Sequence, residues 1–403
     1  MNIRIFPSVA RGTVSAPPSK SMAHRLLICA ALSKGESRIS GISDCEDVQA
    51  TLDCLCSLGA DCKMDHNRVI IQGIDFTKSP TAALPCRESG STMRFLLPLC
   101  LLSSQVMTLT GAPSLLRRPM TVYADLCRKH GLLFEQTERG ITVKGPLSKG
   151  EYTLPGDISS QFISGMLFAL TQVDGESILH ILPPFESRSY VLLTLQALAA
   201  FGAEIAWVNG NTLRIRGGKS MQAQALTVEG DYSNAAFLSA FNLLGGEVTV
   251  TGLDPASLQG DRIYFEHFKA LQNGFATISL TDCPDLAPVL FALAAAKKGA
   301  RFTDTRRLAI KESNRAEAMA TELRKFGTTV EVLGNEVIIT PTAFHAPTEP
   351  LSGHNDHRIV MALAVLATLT GGIITGAEAV SKSFPNFFEC IAALGIQTEE
   401  ITQ

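Results

Sequence analysis

Residues 157–170, DISSQFISGMLFAL, pass from a polar opening turn into a continuous apolar helix. Residues 195–203, LQALAAFGA, then close a second helix on an aromatic residue followed by Gly202. Glycine there stands where a helix C-terminus needs a left-handed residue. This pair of features recurs along the whole chain. The closing glycines are Gly59, Gly131, Gly202, Gly274, Gly327 and Gly395, at intervals of 72, 71, 72, 53 and 68 residues. Each follows an apolar helix whose first turn is rich in Ser, Asp, Gly or Asn. The other five are SKSMAHRLLICAAL from Ser19, SGSTMRFLLPLC from Ser89, GDYSNAAFLSAFNLL from Gly230, PDLAPVLFALAAA from Pro284 and NDHRIVMALAVLATL from Asn355. From Ser21, Gly90, Ser160, Ser233, Asp285 and Asp356 the following glycine lies 38, 41, 42, 41, 42 and 39 residues on.

Alternating segments such as ITVKG (141–145), LRIRG (213–217) and VEVLGNEVIIT (330–340) supply strands between these helices. The unit is therefore an α/β subdomain of roughly 70 residues, larger than a solenoid repeat. Six such units predict two domains of three units each, within the two or three domains that 403 residues allow. Apolar residues make up 46% and charged residues 18%, the composition of a compact globular chain. A net charge of −3 excludes a globally basic field for nucleic acid or anionic membrane, so any anion site must be local. The N-terminal MNIRIFPSVARG has no secretory pattern and no apolar run reaches a membrane span, which leads us to expect a cytosolic protein. Ten cysteines without a CxxC pair, several in apolar runs (Cys29, Cys54, Cys100, Cys127), fit reduced, buried thiols.

Ser, Asp, Asn and Gly at a helix start are explained by capping alone. The Lys, Arg, Gln and His beside them are not. Lys20, Ser21 and Arg25 occupy one face of an opening helix after Pro17-Pro18. Gly90, between Glu88-Ser89 and Arg94, allows close backbone approach, and Arg117-Arg118 precede a proline read as a first helical position. Ser159-Ser160-Gln161 and Ser187-Arg188-Ser189-Tyr190 open two helices of one unit. Asp285 starts a strongly apolar helix, where a carboxylate is either a cap or a poised acid/base. Lys311 and Arg315 read as one helix face with Glu312 beside them and Arg306-Arg307 upstream. Asp356-His357-Arg358 opens another helix, and Lys382 precedes Phe384-Pro385. Helices that run parallel with such starts together gather free N–H groups and positive dipole ends, an anion site in a slightly acidic protein. His354 and His357 form an HxxH pair, but no further His or Cys cluster shares their register, so no metal is expected. No phosphate loop of the GxxxxGK[ST] or GxGxxG type occurs.

Taken in order, SKSxxxR, SGSTMR, RRP, SSQ, SRSY, VEGDYS, CPDLAP, KESNR, NDHR and KSFP resemble the motifs of an enolpyruvyl transferase family, the 3-phosphoshikimate 1-carboxyvinyltransferases, across essentially the whole length. That resemblance implies an α/β (α+β) inside-out barrel fold of two domains, each of three βαβαββ units, that close over a cleft. It divides the chain into residues 19–226 and residues 1–18 plus 227–403, with crossovers near Pro18 and Val228. It implies transfer of the enolpyruvyl group of phosphoenolpyruvate to the 5-hydroxyl of shikimate-3-phosphate in aromatic amino acid biosynthesis, by a monomer without metal or organic cofactor.

By the same resemblance Ser21 and Arg25 meet the ring and carboxylate side of shikimate-3-phosphate, and Lys20 also contacts this substrate. Ser159, Ser160, Ser187 and Tyr190 meet its phosphate, and Gln161, Asp285 and Lys311 its hydroxyl side. Phosphoenolpyruvate lies against Lys20, Gly90, Arg118, Gln161, Arg315, Arg358 and Lys382, with Glu312 near its methylene. Asp285 is the base candidate with Lys311 as its ion-pair partner, and Glu312 and Lys20 are the acid candidates. Glu88, Phe95 and Arg307 depart from the commoner Asn, Pro and Asn, while Gly90 keeps the small residue of glyphosate-sensitive members. The alternatives are the sibling transferase acting on UDP-N-acetylglucosamine, whose Lys-Asn and cysteine-bearing lid are not found here, and an inactive anion-binding homologue.

Overall fold

The computed structural model describes residues 1–401. They form two compact units, Pro18–Glu229 and Met1–Pro17 together with Gly230 onward. Pro18 and residues 227–229, expected in the C-terminal domain, lie in the first of these. The reason is local: the strand Ala225–Thr227 pairs in parallel with Glu36–Ser40.

In the Pro18–Glu229 unit three four-stranded sheets share one plan. In the clearest copy Glu151–Pro155 runs parallel to Gly175–Leu182, which pairs antiparallel with Thr212–Gly217, itself the partner of Glu204–Asn209. Ala82–Pro85, Met107–Thr110, Gly140–Lys144 and Leu133–Thr137 repeat it. So do Ala225–Thr227, Glu36–Ser40, Arg68–Gln72 and Asp61–Asp65. The helices Lys20–Leu32, Gly90–Cys100 and Ser160–Leu170 form the interior, buried on nearly every face. Each buried Leu, Ile or Phe contributes roughly 1.5–3 kcal/mol. A helix apolar all round has no other place to go.

The other unit holds two sheets of the same plan. One is Ala276–Ser279, Ala300–Thr303, Glu336–Thr340 and Thr329–Leu333; the other is Leu351–Ser352, Gly372–Thr375, Asn2–Ile5 and Thr398–Ile401. Its inner helices are Tyr232–Ala240, Ala287–Ala296 and His357–Ala367. Its third sheet has only Arg11–Ser15 and Glu247–Thr251, in parallel. The fourth repeat therefore lacks the terminal hairpin, which accounts for the interval of 53 residues. Strands also change places. Arg11–Ser15 precedes helix Lys20–Leu32 in the chain but pairs in the sheet that Tyr232–Ala240 serves, and Ala225–Thr227 does the reverse.

Five of the six closing glycines are left-handed, from Gly131 at φ 67° to Gly59 at φ 106°. Each is followed by a residue whose N–H returns to the carbonyl five residues back, as in Ala60 N to Leu55 O at 3.0 Å and Ile396 N to Ile391 O at 3.1 Å. Gly274 departs from the expectation: its φ of 167° is extended. With no hairpin to enter, the chain runs straight into Ala276–Ser279, and no reversal is required.

Ser19, Ser89, Ser159, Asp231 and Asp356 cap their helices through side-chain oxygens. All ten cysteines are free, but Cys56 is exposed and Cys62 and Cys390 are half-buried, so burial holds for the other seven alone. Cys56 lies at the end of the amphipathic helix Glu46–Ser57, on its wet face. Among the described residues no helix is long and apolar enough to cross a membrane.

Candidate functional site

In the Pro18–Glu229 unit the inner-helix starts carry two polar clusters. The first surrounds Arg25, which is 2% exposed. Its guanidinium donates to Ser21 O at 2.6 Å, Thr194 Oγ1 at 2.8 Å and Tyr190 O at 2.9 Å, and lies over the Phe95 ring. Burial lowers its pKa to about 10, which leaves it charged at neutral pH. These bonds tie the start of Arg188–Ala200 to Lys20–Leu32. Ser187, just before that start, is buried and left-handed at φ 52°, a conformation costly for serine and characteristic of functional turns.

The second cluster lies around Gly90. Arg94 Nη1 donates to Gln161 Oε1 at 2.7 Å, and Gln161 Nε2 donates to Ser91 Oγ at 2.9 Å. A Cβ on Gly90 would stand 2.8 Å from Arg118 Nη1, so glycine is what lets Arg118 approach the backbone. Pro119 stands before the helix Thr121–Lys129 rather than at its first position, and the turn it occupies keeps the buried Arg118 beside Gly90. Ser159 caps and Ser160 is buried beside it. Lys20 Nζ pairs with Asp47 Oδ2 at 2.7 Å. Asp47 reads in sequence as an acid favoured by the helix dipole, and nothing marks it as a lysine's partner.

In the other unit the charges converge on carboxylates. Asp285 does not stand at an N-cap position, which Cys283 and Leu286 occupy. It lies on the turn Pro284–Leu286 and meets Lys311 Nζ at 3.0 Å, Arg315 Nη1 at 2.8 Å and Arg358 Nη2 at 3.2 Å. Burial would raise its pKa, but Arg358, Lys311 and Arg315 together hold it well below the usual carboxylate range. Burial lowers the Lys311 ammonium, with Asp285 opposing. Lys311 and Arg315 do not share a helix face, because Asn314 caps a helix that begins only at Arg315. They meet on Asp285 instead.

Arg315 is 1% exposed and reaches three carboxylates: Asp285, Glu312 Oε2 at 2.7 Å and Asp356 Oδ2 at 2.9 Å. Lys382 donates to Asn355 O and Oδ1 at 2.7 and 2.8 Å. His354 and His357 do not converge as ligands: His354 Nε2 bonds Glu322 Oε1 at 2.8 Å, while the His357 ring is buried. Of the departures, Glu88 accepts from Ser114, Phe95 supports Arg25, and the buried Arg307 donates to Thr281 O.

Repeated βαβαββ sheets around buried helices, with cations and ionised carboxylates at the helix starts, define an anion-handling α/β protein. The chain belongs to the EPSP synthase (3-phosphoshikimate 1-carboxyvinyltransferase) family, whose model matches residues 7–391. It is 38% identical to the 3-phosphoshikimate 1-carboxyvinyltransferase of Clostridium perfringens strain 13, with 97% of each chain covered. It is 34% identical to that of Clostridioides difficile strain 630, covering 99% of this chain and 98% of the other. A solved EPSP synthase from Acinetobacter baumannii superposes with a TM-score of 0.77 at 25% identity, covering 99% of this chain and 100% of that one.

Proposed function

We propose that this chain transfers the enolpyruvyl group of phosphoenolpyruvate to the 5-hydroxyl of shikimate-3-phosphate and releases phosphate. The observation that carries the reading is Asp285, an ionised carboxylate shared by Lys311, Arg315 and Arg358 in a chain of this family. Two substrates bearing two phosphates and two carboxylates need several fixed cations, and the chemistry needs a base and an acid. Ser21 and Arg25 serve the ring and carboxylate of shikimate-3-phosphate, which Lys20 also contacts; Ser159, Ser160, Ser187 and Tyr190 serve its phosphate; Gln161, Asp285 and Lys311 serve its hydroxyl side. Lys20, Gly90, Arg118, Gln161, Arg315, Arg358 and Lys382 serve phosphoenolpyruvate.

In the addition step a proton reaches C3 of phosphoenolpyruvate while the 5-oxygen bonds to C2 and gives up its own proton. The product is a tetrahedral ketal phosphate. In the elimination step C3 loses a proton, the C2–O bond to phosphate breaks, and phosphate leaves. Asp285 takes the 5-hydroxyl proton with Lys311 as its ion-pair partner; one proton reaches C3 from Glu312 or Lys20, and that group takes a proton back from C3 as phosphate leaves. A carboxylate held by three cations is a weak base, so Asp285 gains basicity as the anionic groups of phosphoenolpyruvate draw on Arg358. No metal or organic cofactor enters this scheme. The same family resemblance underlies the reading of a monomer that acts on two small-molecule substrates in the cytoplasm.

Replacing Asp285 by Ala tests the assignment. Turnover is expected to fall by about 10²–10⁴-fold, the range of general acid–base contributions. Binding of shikimate-3-phosphate, measured by calorimetry, stays detectable. Near-normal turnover in that variant removes Asp285 from the mechanism.

A further inference from the structure

We propose that Asp261 is a positioning residue for the reaction assigned above, aiming Arg358 at phosphoenolpyruvate through the hydroxyl of Ser233. This rests on that functional reading. Asp261 is 4% exposed, on the turn Gly260–Ile263, away from every motif of the sequence analysis. Its carboxylate hydrogen-bonds Ser233 and faces the charges of Asp285, Arg358 and Asp231. Burial and Asp285 push this carboxyl up to about 7, while Arg358 and the Ser233 hydroxyl pull the other way.

Ser233 Oγ accepts from Arg358 Nη1 at 2.6 Å, and Asp285 Oδ2 accepts from Arg358 Nη2 at 3.2 Å. The guanidinium is thus held at two corners by residues from two other helix starts. A hydroxyl has one proton to give. When Asp261 takes it, the lone pairs of Ser233 face the arginine. Without that acceptor the hydroxyl rotates freely and one corner of Arg358 is released. Gln259 fixes the distance over which this works: its Nε2 donates to Gly230 O at 2.8 Å and its Oε1 accepts from Tyr232 N at 2.9 Å. The turn and the helix start therefore hold one register.

The test compares KM for both substrates, kcat and Tm in the wild-type enzyme, Asp261→Ala, Asp261→Asn and Ser233→Ala. Asp261→Ala and Ser233→Ala are expected to raise KM for phosphoenolpyruvate roughly tenfold, the size of one lost charge-assisted hydrogen bond. KM for shikimate-3-phosphate stays within about twofold in both. Asp261→Asn keeps an acceptor oxygen in place and is expected to return KM for phosphoenolpyruvate to within about twofold of wild type. An unchanged KM for phosphoenolpyruvate in Asp261→Ala, an equal rise in both KM values, or an Asn variant as impaired as the Ala variant overturns the proposal. If Asp261→Ala does not fold, Ser233→Ala carries the test. Absence of turnover in the wild-type enzyme counts instead against the functional reading; phosphoenolpyruvate affinity of the same variants by calorimetry then decides Asp261.

Discussion

Gly90 shows how one missing side chain sets the position of a cation. In Gly90→Ala the new methyl meets the tip of Arg118, a flexible group that can shift, while alanine at a helix start improves the helix by up to about 1 kcal/mol. Stability is therefore expected to hold or rise slightly, and KM for phosphoenolpyruvate to rise several-fold; steady-state kinetics with a melting curve checks both. Glu322 makes the opposite case. At 1% exposure it accepts from Lys325 Nζ, His354 Nε2 and Ser352 N, and these bonds hold its carboxyl below the ordinary value despite burial. Glu322→Ala is expected to cost about 2–3 kcal/mol, since Lys325 and His354 keep partial access to water. Because the folded pKa is depressed, the stabilisation is complete above the unfolded value of 4.5 and is lost as pH falls through the folded one. The Tm gap between wild type and Glu322→Gln should thus be constant near neutrality and close below about pH 4.5. Single residues of this kind were only half legible in sequence. Arg25, Arg358 and Asp285 stand out by their repeat register, whereas Asp47, Asp261 and Glu322 sit in helices or turns where an acid has ordinary reasons to be.

At the scale of elements, the closing glycines differ in what they need. Gly59 and Gly202 are left-handed with nothing within 4 Å of a built Cβ, so replacement by Ala strains the backbone without a clash. Each is expected to lose about 1 kcal/mol. Gly274 is extended and equally uncrowded, and Gly274→Ala is expected to be neutral or to stabilise by up to about 1 kcal/mol. Chemical denaturation of the three variants separates these outcomes. The helix–glycine periodicity was readable because capping geometry and apolar burial both write into local sequence. The missing fourth hairpin left only a short interval, and the conformation of Gly274 follows from what comes after it, which local sequence does not carry.

For the whole molecule, the exchange of strands decides where each unit begins and ends. Ala225–Thr227 belongs with Glu36–Ser40, nearly two hundred residues earlier, and no periodicity within either segment announces so distant a partner. A fragment of residues 18–229 is expected to fold cooperatively, because its three four-stranded sheets and three inner helices all lie within it. Ending the fragment at residue 224 removes that strand and should lower Tm by several degrees, since each 1 kcal/mol corresponds to roughly 2–4 °C at this size. The six buried helices followed from the repeat, and the βαβαββ plan and the Lys311–Asp285 pair from the resemblance carried by motifs at helix starts; the convergence of Arg315 and Arg358 on Asp285 emerged only from the folded unit. The most direct test of the functional account is phosphate release from phosphoenolpyruvate by the purified full-length chain, with shikimate-3-phosphate or UDP-N-acetylglucosamine as acceptor. The account predicts release with shikimate-3-phosphate alone; release only with the UDP-sugar, or with neither, would contradict it.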